Sequence, residues 1–256
     1  MCGRMTLTRS GSEIADYFAL AMAEDEIAEM NGDPLHARYN IAPSQQIATI
    51  VGLPDGRRSF AWKKWGLVPS WSMDQAVGGR LFNARSETAD EKPSFRAAWK
   101  RRRCLVVADG FYEWTKQGRR RQPYHFSAHE GSLLGLAGLF EQWSGEGGEV
   151  VESCTVLTTD ANPDLEGIHH RMPVILDPTR FGPWLDPASD TGLLKAMMVP
   201  APAGTLDRKA VSTRVNSPRF DDPQCLMPEP DSLPEPEPES EAVQGDLFGA
   251  DGERTK

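Results

Sequence analysis

The residue with the most unusual chemical prospects is the second, Cys2, which follows Met1 directly. Removal of an initiator methionine ahead of a small residue would leave Cys2 with an α-amine and a thiol on adjacent carbons. Reference pKa values of about 7.7–8.0 for the amine and about 8.5 for the thiol keep both partly nucleophilic near neutral pH. An amine condenses with an aldehyde to a Schiff base. A neighbouring thiolate can then add to the imine carbon and close a five-membered thiazolidine ring, which resists hydrolysis better than the open imine. The chemistry that suits this terminus is the capture of a carbonyl carbon.

Four later segments hold groups that such a reaction could use. Trp65-Gly66-Leu67-Val68-Pro69-Ser70-Trp71 sets two tryptophans around a Gly/Pro turn. Phe82-Asn83-Ala84-Arg85-Ser86-Glu87-Thr88 is polar directly after an apolar pair. Gly110-Phe111-Tyr112-Glu113-Trp114 places one carboxylate among three aromatics, where partial desolvation would raise its pKa toward a useful acid/base range. Gly167-Ile168-His169-His170-Arg171-Met172-Pro173 holds two of the five histidines. The remaining cysteines, Cys104, Cys154 and Cys225, form no C-x-x-C pair with one another or with Cys2, so neither a zinc ribbon nor a disulfide framework is suggested. Cys104 and Cys154 sit in apolar runs and read as packing residues. No metal or cofactor enters the expectation.

The elements that would position these groups are mostly strands. Short runs rich in Val, Leu and aromatics recur at Ile47 to Val51, Ser59 to Trp65, Cys104 to Ala108, Leu133 to Leu139 and Val151 to Thr158. Helical patterns are fewer: Ser12 to Leu20, headed by a serine suited to capping, then Ser94 to Arg103 and Pro178 to Leu185. Many strands with irregularly spaced helices predict an α+β fold, a single domain on a mixed or antiparallel, barrel-like sheet with flanking helices. The composition changes near Pro223. The stretch from Met227 to Glu241 alternates proline with acids and cannot bury apolar surface, so residues 2–222 are the expected domain and 223–256 a disordered acidic tail.

Charge follows the same division. The chain has a net charge of −9, and from Asp221 onward eleven acidic residues face two basic ones, leaving 26 of each sign in residues 1–220. Basic groups at Arg57-Arg58, Lys63-Lys64, Lys100 to Arg103 and Arg119 to Arg121 suit phosphate contacts or solvated faces. The first residues lack an apolar leader, and no stretch approaches the roughly 18 apolar residues of a membrane helix. The expectation is a cytoplasmic protein.

Met1-Cys2-Gly3-Arg4, Tyr39-Asn40-Ile41-Ala42-Pro43, the tryptophan turn, Asn83 to Glu87, Gly110 to Trp114, His169 to Pro173 and Val211 to Asn216 together resemble the SOS response-associated peptidase (SRAP) family, in the family's order and across residues 2 to about 220. The resemblance implies a sensor of abasic sites in single-stranded DNA that shields the lesion as a thiazolidine crosslink, and places the chain on nucleoid DNA. It makes Cys2 the nucleophile. Asn83 orients the amino-thiol and opened sugar, Glu113 is the general acid/base, and His169 assists opening of the deoxyribose. His170 falls at the variable position. Arg4 and Arg85 become phosphate clamps, with Ser86 beside them. Trp71, with Pro43 or Trp65, would stack on the base beside the gap. Thr158 or its neighbour Thr159 would touch the same pocket. The family name also records a peptidase proposal, self-removal of the first methionine.

In the tail, Gln244-Gly245-Asp246-Leu247-Phe248 resembles the peptide by which bacterial proteins dock on the replicative sliding clamp, with Leu247 and Phe248 as anchors and Gln244 as its head. Two other functions fit an N-terminal cysteine or a DNA-binding domain. One is an N-terminal-nucleophile amidohydrolase of the class II glutamine amidotransferase type, which ammonia release from glutamine would reveal. The other is a non-covalent reader of modified DNA, which a denaturing gel with an abasic oligonucleotide separates from a crosslinker.

Overall fold

A computed structural model describes residues 2–20, 36–117 and 120–228. In chain order its strands are β1 (Met5–Leu7), β2 (Arg38–Ile41), β3 (Gln46–Gly52), β4 (Arg58–Trp65), β5 (Asn83–Arg85), β6 (Arg103–Ala108), β7 (Gly110–Gln117), β8 (Arg120–Ala128), β9 (Leu134–Ser144), β10 (Val150–Asp160), β11 (Arg171–Pro173), β12 (Ile175–Leu176) and β13 (Leu206–Ala210). Each apolar run of the sequence has become a strand, lengthened where polar residues continue the pairing. The mixed, barrel-like α+β expectation is borne out.

Five of the strands close on themselves. β10 pairs with β4, β4 with β3, β3 with β6 and β6 with β9, and β9 returns to β10. Every pairing in this ring is antiparallel except β4 with β10. Closure removes the exposed edges that an open sheet would carry. Residues Arg103 to Ala108 of β6 are buried without interruption, as a strand covered on both faces requires. The second sheet has the order β13-β8-β7-β1-β2. Two pieces extend β10 beyond the ring, β5 in parallel and β11 antiparallel, so Thr158 lies opposite both Arg85 and Pro173.

The helix Gly11–Phe18 packs Gly11, Ile14, Ala15 and Phe18 inward at helical spacing. Its cap is Ser10 and not Ser12. Ser10 and Glu13 form a reciprocal capping box, which requires a Glu three positions after the cap and so selects Ser10. The helix at 94–103 is shorter than expected, Arg96–Arg101, because Arg103 already belongs to β6. The segment Pro178–Leu185 is a 3-10 turn that continues into the helix Phe181–Leu185.

The folded body runs past the expected boundary at 222. Asp222 caps a turn over Pro223–Leu226, Cys225 is fully buried, and Val211 bridges to Pro228. Asp221 accepts from the Tyr39 and Asn40 amides and pairs with Arg38, which fastens this strap to β2. Cys225 is therefore a packing residue. Among the described residues no helix is long and apolar enough to cross a membrane. Gln244, Leu247 and Phe248 lie outside the described residues.

Candidate functional site

Cys2 enters the fold through β1, a strand of three buried residues held between β2 and β7. Met5 lies opposite Phe111 and Thr6 opposite Gly110, and the Tyr112 amide donates to the Arg4 carbonyl at 3.0 Å. This antiparallel register carries residues 2–4 alongside Tyr112 and Glu113. Cys2 itself has no exposed surface and packs within the main apolar core.

From the other sheet comes Asn83, the first residue of β5. Its amide nitrogen donates to the Cys2 carbonyl at 2.5 Å, while its own amide oxygen is buried and makes no hydrogen bond among the described residues. A buried, unused acceptor beside the chain's first residues is a ready partner for an N–H or O–H group placed there. β5 can present it because Val156 opposes Asn83 and Thr158 opposes Arg85, a parallel pairing fixed by β10.

Glu113, opposite Tyr124 in the β7–β8 hairpin, is almost fully buried. Burial pushes its carboxyl up to about 7, against the charge of, and a hydrogen bond from, the chain's terminal amine, which pull it down. The same burial, followed by the charge of Glu113, pushes the Cys2 thiol far above its ordinary value. The thiol is therefore held neutral, beside a carboxyl that can exchange a proton near neutral pH.

His169 follows the 3-10 turn Pro163–Leu165 and is half-buried. Burial, then the charge of the terminal amine, holds its pKa below the usual histidine range. Nδ1 lies 2.9 Å from the Arg171 amide nitrogen and 3.1 Å from the Arg171 carbonyl oxygen, so the ring is fixed against the Arg171 backbone through that nitrogen. The His170 ring stacks on it, centroids 4.6 Å apart and planes inclined at 17°. Arg171 in turn clamps the loop to β5 and β10, with Nη1 2.6 Å and Nη2 2.9 Å from the Glu87 carboxylate and Nη2 2.6 Å from the Thr158 carbonyl. Asn83 and Glu113 thus gather around Cys2 and the terminal amine, with His169 near enough for its ring to feel the amine's charge.

The surrounding residues divide by exposure. Arg85 is exposed at the end of β5, and Ser86 beside it is buried with an Oγ that makes no hydrogen bond among the described residues. Arg4 is half-buried, with Nη1 at 2.6 Å from Asn40 Oδ1 and 2.7 Å from the Val215 carbonyl, so its guanidinium joins β2 to the turn Thr213–Asn216. Thr158 is fully buried in β10. Pro43 is half-buried in the turn after β2, where the Ser44 amide donates to the Trp65 carbonyl. Trp71 is 62% exposed, on a loop that Trp143 steadies by donating to the Ser72 carbonyl at 2.6 Å.

Trp65 is the correction. Its ring has no exposed surface, donates from Nε1 to the Phe82 carbonyl at 2.8 Å and meets Phe82 edge to face. A ring enclosed in this way cannot stack on a base. Two basic clusters also divide. Lys63 is buried against Glu152 and the Phe140 ring, and Arg103 is buried with its guanidinium on the Trp99, Lys100, Trp184 and Asp186 carbonyls. Neither is a phosphate contact. Cys104 and Cys154 are fully buried, as packing residues should be.

Sequence reasoning missed the residues beneath the site. Thr6 Oγ1 donates to Asp109 at 2.5 Å and lies 3.1 Å from His125 Nε2, while Asp109 also accepts from the Thr8 amide and hydroxyl, each at 2.6 Å. Thr6 is a lone polar residue between Met5 and Leu7 in β1, but Asp109 falls between strands and His125 in a largely polar strand, so neither stands out in the sequence.

The profile of the SOS response associated peptidase (SRAP) family matches residues 1–218. The abasic site processing protein YoqW of Bacillus subtilis is 37% identical over 229 residues, covering 88% of this chain and 99% of that protein. The abasic site processing protein HMCES of Gallus gallus is 39% identical over 189 residues, covering 64% of this chain and 56% of that protein. Among solved structures, a protein from Bacteroides thetaiotaomicron shares the fold with a TM-score of 0.78 at 24% identity, covering 89% of this chain and 100% of the other. A protein from Bordetella bronchiseptica aligns with a TM-score of 0.69 at 28% identity, covering 82% of this chain and 100% of the other.

Proposed function

The chain belongs to the SOS response associated peptidase family, and from that premise we propose that it captures abasic sites in single-stranded DNA as a thiazolidine on Cys2. The observation that carries the proposal is the convergence of Asn83 and Glu113 on the first residues of the chain, Asn83 on the Cys2 carbonyl and Glu113 on the terminal amine. Relatives named for abasic site processing supply the lesion.

Removal of Met1 transfers the terminal amine to Cys2. The amine attacks C1′ of the ring-opened deoxyribose, and the carbinolamine loses water to give an imine. The Cys2 thiol then adds to the imine carbon, its proton passing to the nitrogen as the ring closes. Aldehyde and amino-thiol yield thiazolidine and one water, with no oxidant or reductant. Glu113, poised near pH 7, donates the proton that releases water and accepts the thiol proton. His169, held through Nδ1 on the Arg171 backbone, serves the opening of the sugar hemiacetal. The unused Asn83 oxygen accepts from the amine or from the opened sugar's hydroxyl. Exposed Arg85 and Trp71 hold the flanking phosphate and base, with Arg4, Pro43, Ser86 and Thr158 around the pocket. Contacts of this kind read no sequence.

The test is incubation with an abasic oligonucleotide, resolved on a denaturing gel and by mass spectrometry of the N-terminus. The expected product is the sum of DNA and Met1-free chain less one water, absent with Cys2→Ala. An equally stable adduct of the Cys2→Ala chain, or a reactive chain that retains Met1, overturns the proposal.

We further propose that Gln244, Leu247 and Phe248 dock the protein on the replicative sliding clamp, at nucleoid DNA. Retention on immobilised clamp should be lost when Leu247 and Phe248 are both changed to Ala, and unaltered retention removes the motif.

A further inference from the structure

β1 has a problem that its own sequence does not solve. A strand keeps its register when one face is apolar and the other polar, since a slip of one residue exchanges the faces. Met5, Thr6 and Leu7 are all buried, so burial alone does not choose between registers. Three residues also supply few ladder bonds. Yet the position of Cys2 against Glu113 depends on that register, because Cys2 is carried on the unpaired end of the strand.

The polar groups beneath the strand do choose. Asp109 lies between β6 and β7, and its carboxylate takes the Thr6 hydroxyl, the Thr8 amide and the Thr8 hydroxyl. Its own amide donates to the Thr6 carbonyl at 3.0 Å. The Thr6 hydroxyl gives its one proton to Asp109, so His125, 3.1 Å away, must donate to it from Nε2. Burial pushes the His125 pKa down to about 4, so the ring is neutral and has one N–H to give. His125 reaches Thr6 from β8, across β7, because Gly110 stands between them. A β-carbon at Gly110 would lie 2.2 Å from His125 Nε2 and 2.8 Å from the Phe126 carbonyl oxygen. The three strands β1, β7 and β8 are thereby joined through one hydroxyl. A slip of one residue would replace Thr6 with Met5 or Leu7, leaving Asp109 and His125 buried without it.

We propose that Thr6, Asp109 and His125 are positioning residues of the Cys2 reaction, a register lock that holds the amino-thiol against Glu113. This rests on the function proposed above for Cys2, and its test has one arm that does not. Thr6→Val preserves the side-chain shape and removes the hydroxyl; Thr6→Ser restores it. Without DNA, hydrogen exchange at the Tyr112 amide, which donates to the Arg4 carbonyl, reports the register directly. Thr6→Val should accelerate that exchange about tenfold, leave the amides of β6 and β9 protected, and Thr6→Ser should restore it. With an abasic oligonucleotide at saturation, Thr6→Val should form adduct about tenfold to a hundredfold more slowly with unchanged DNA affinity. The loss should largely vanish in a Glu113→Gln background, because both changes remove the same contact. Unchanged Tyr112 exchange, an unchanged adduct rate, or losses that multiply in the double variant would each overturn the lock. Asp109→Asn provides the same comparison if Thr6→Val folds poorly. A wild-type chain that forms no adduct, while Tyr112 responds as described, would instead sink the abasic reading and leave the lock standing.

Discussion

The amide nitrogen of Asn83 lies 2.5 Å from the carbonyl oxygen of Cys2, which ties a strand appended to the barrel to the segment that leads into β1 of the neighbouring sheet. The two sheets meet at the site through this bond. It also holds the carbonyl of the peptide that follows Cys2. Asn83→Ala removes both the donor and the unused buried oxygen. Adduct formation should slow by about a hundredfold, while affinity for undamaged single strands changes little. A gel time course beside a binding titration measures both, and a parallel loss of affinity would assign Asn83 to DNA binding alone.

Trp71 stands 62% exposed on a loop whose neighbours are anchored, so its indole is available without rearrangement. Base stacking of this kind contributes about 1–3 kcal/mol. Trp71→Ala should weaken single-strand binding by about tenfold and leave the melting temperature nearly unchanged. Fluorescence anisotropy with a labelled oligonucleotide is the measurement, and unaltered affinity would remove Trp71 from the interface.

The contrast between Trp71 and Trp65 marks the limit of what the sequence could convey. Both tryptophans bracket one Gly/Pro turn, and each could stack. The difference is made by the β4–β10 pairing, which sets Cys154 opposite Trp65 and encloses it, while Trp71 falls beyond the strand. Such long-range pairing leaves no local mark. The apolar strands were legible because burial on both faces writes itself as continuous Val, Leu and Cys. The first helix was legible, but its start was not: Ser12 heads the apolar pattern, while the Ser10–Glu13 spacing makes the capping box two residues earlier. Asn83, Glu113 and His169 stood out as polar residues in the segments that carry the family resemblance. Thr6, Asp109 and His125 did not, because their contact spans more than 100 residues and depends on a β-carbon that Gly110 lacks.

Gly66 offers a test of the turn itself. Its φ is +134°, and a β-carbon there would lie 2.5 Å from the Gly78 carbonyl oxygen. Backbone strain and a backbone clash combine, and neither can be relieved by a side-chain rotation. Gly66→Ala should destabilise the fold by about 3 kcal/mol. Urea unfolding measures it, and a change below about 1 kcal/mol would mean that the turn relaxes freely.

Glu113 links the site to pH. Its folded pKa, near 7, lies above the ordinary carboxylate value that it regains on unfolding. Folding therefore favours the protonated carboxyl. The stability this contributes is fully present below the unfolded value of about 4.3 and is lost as pH rises through 7. Gln is neutral throughout, so Glu113→Gln should leave stability near its original level at pH 5 and raise it at pH 8. The same substitution removes the group that moves the proton, so adduct formation and reversal should both slow, by about a hundredfold. Melting curves of the two chains at pH 5 and pH 8, with gel time courses at each, read both consequences. A carboxylate kept for folding would cost stability when replaced at pH 8. One kept for proton transfer is a burden to the fold there, and the more stable variant should be the slower one.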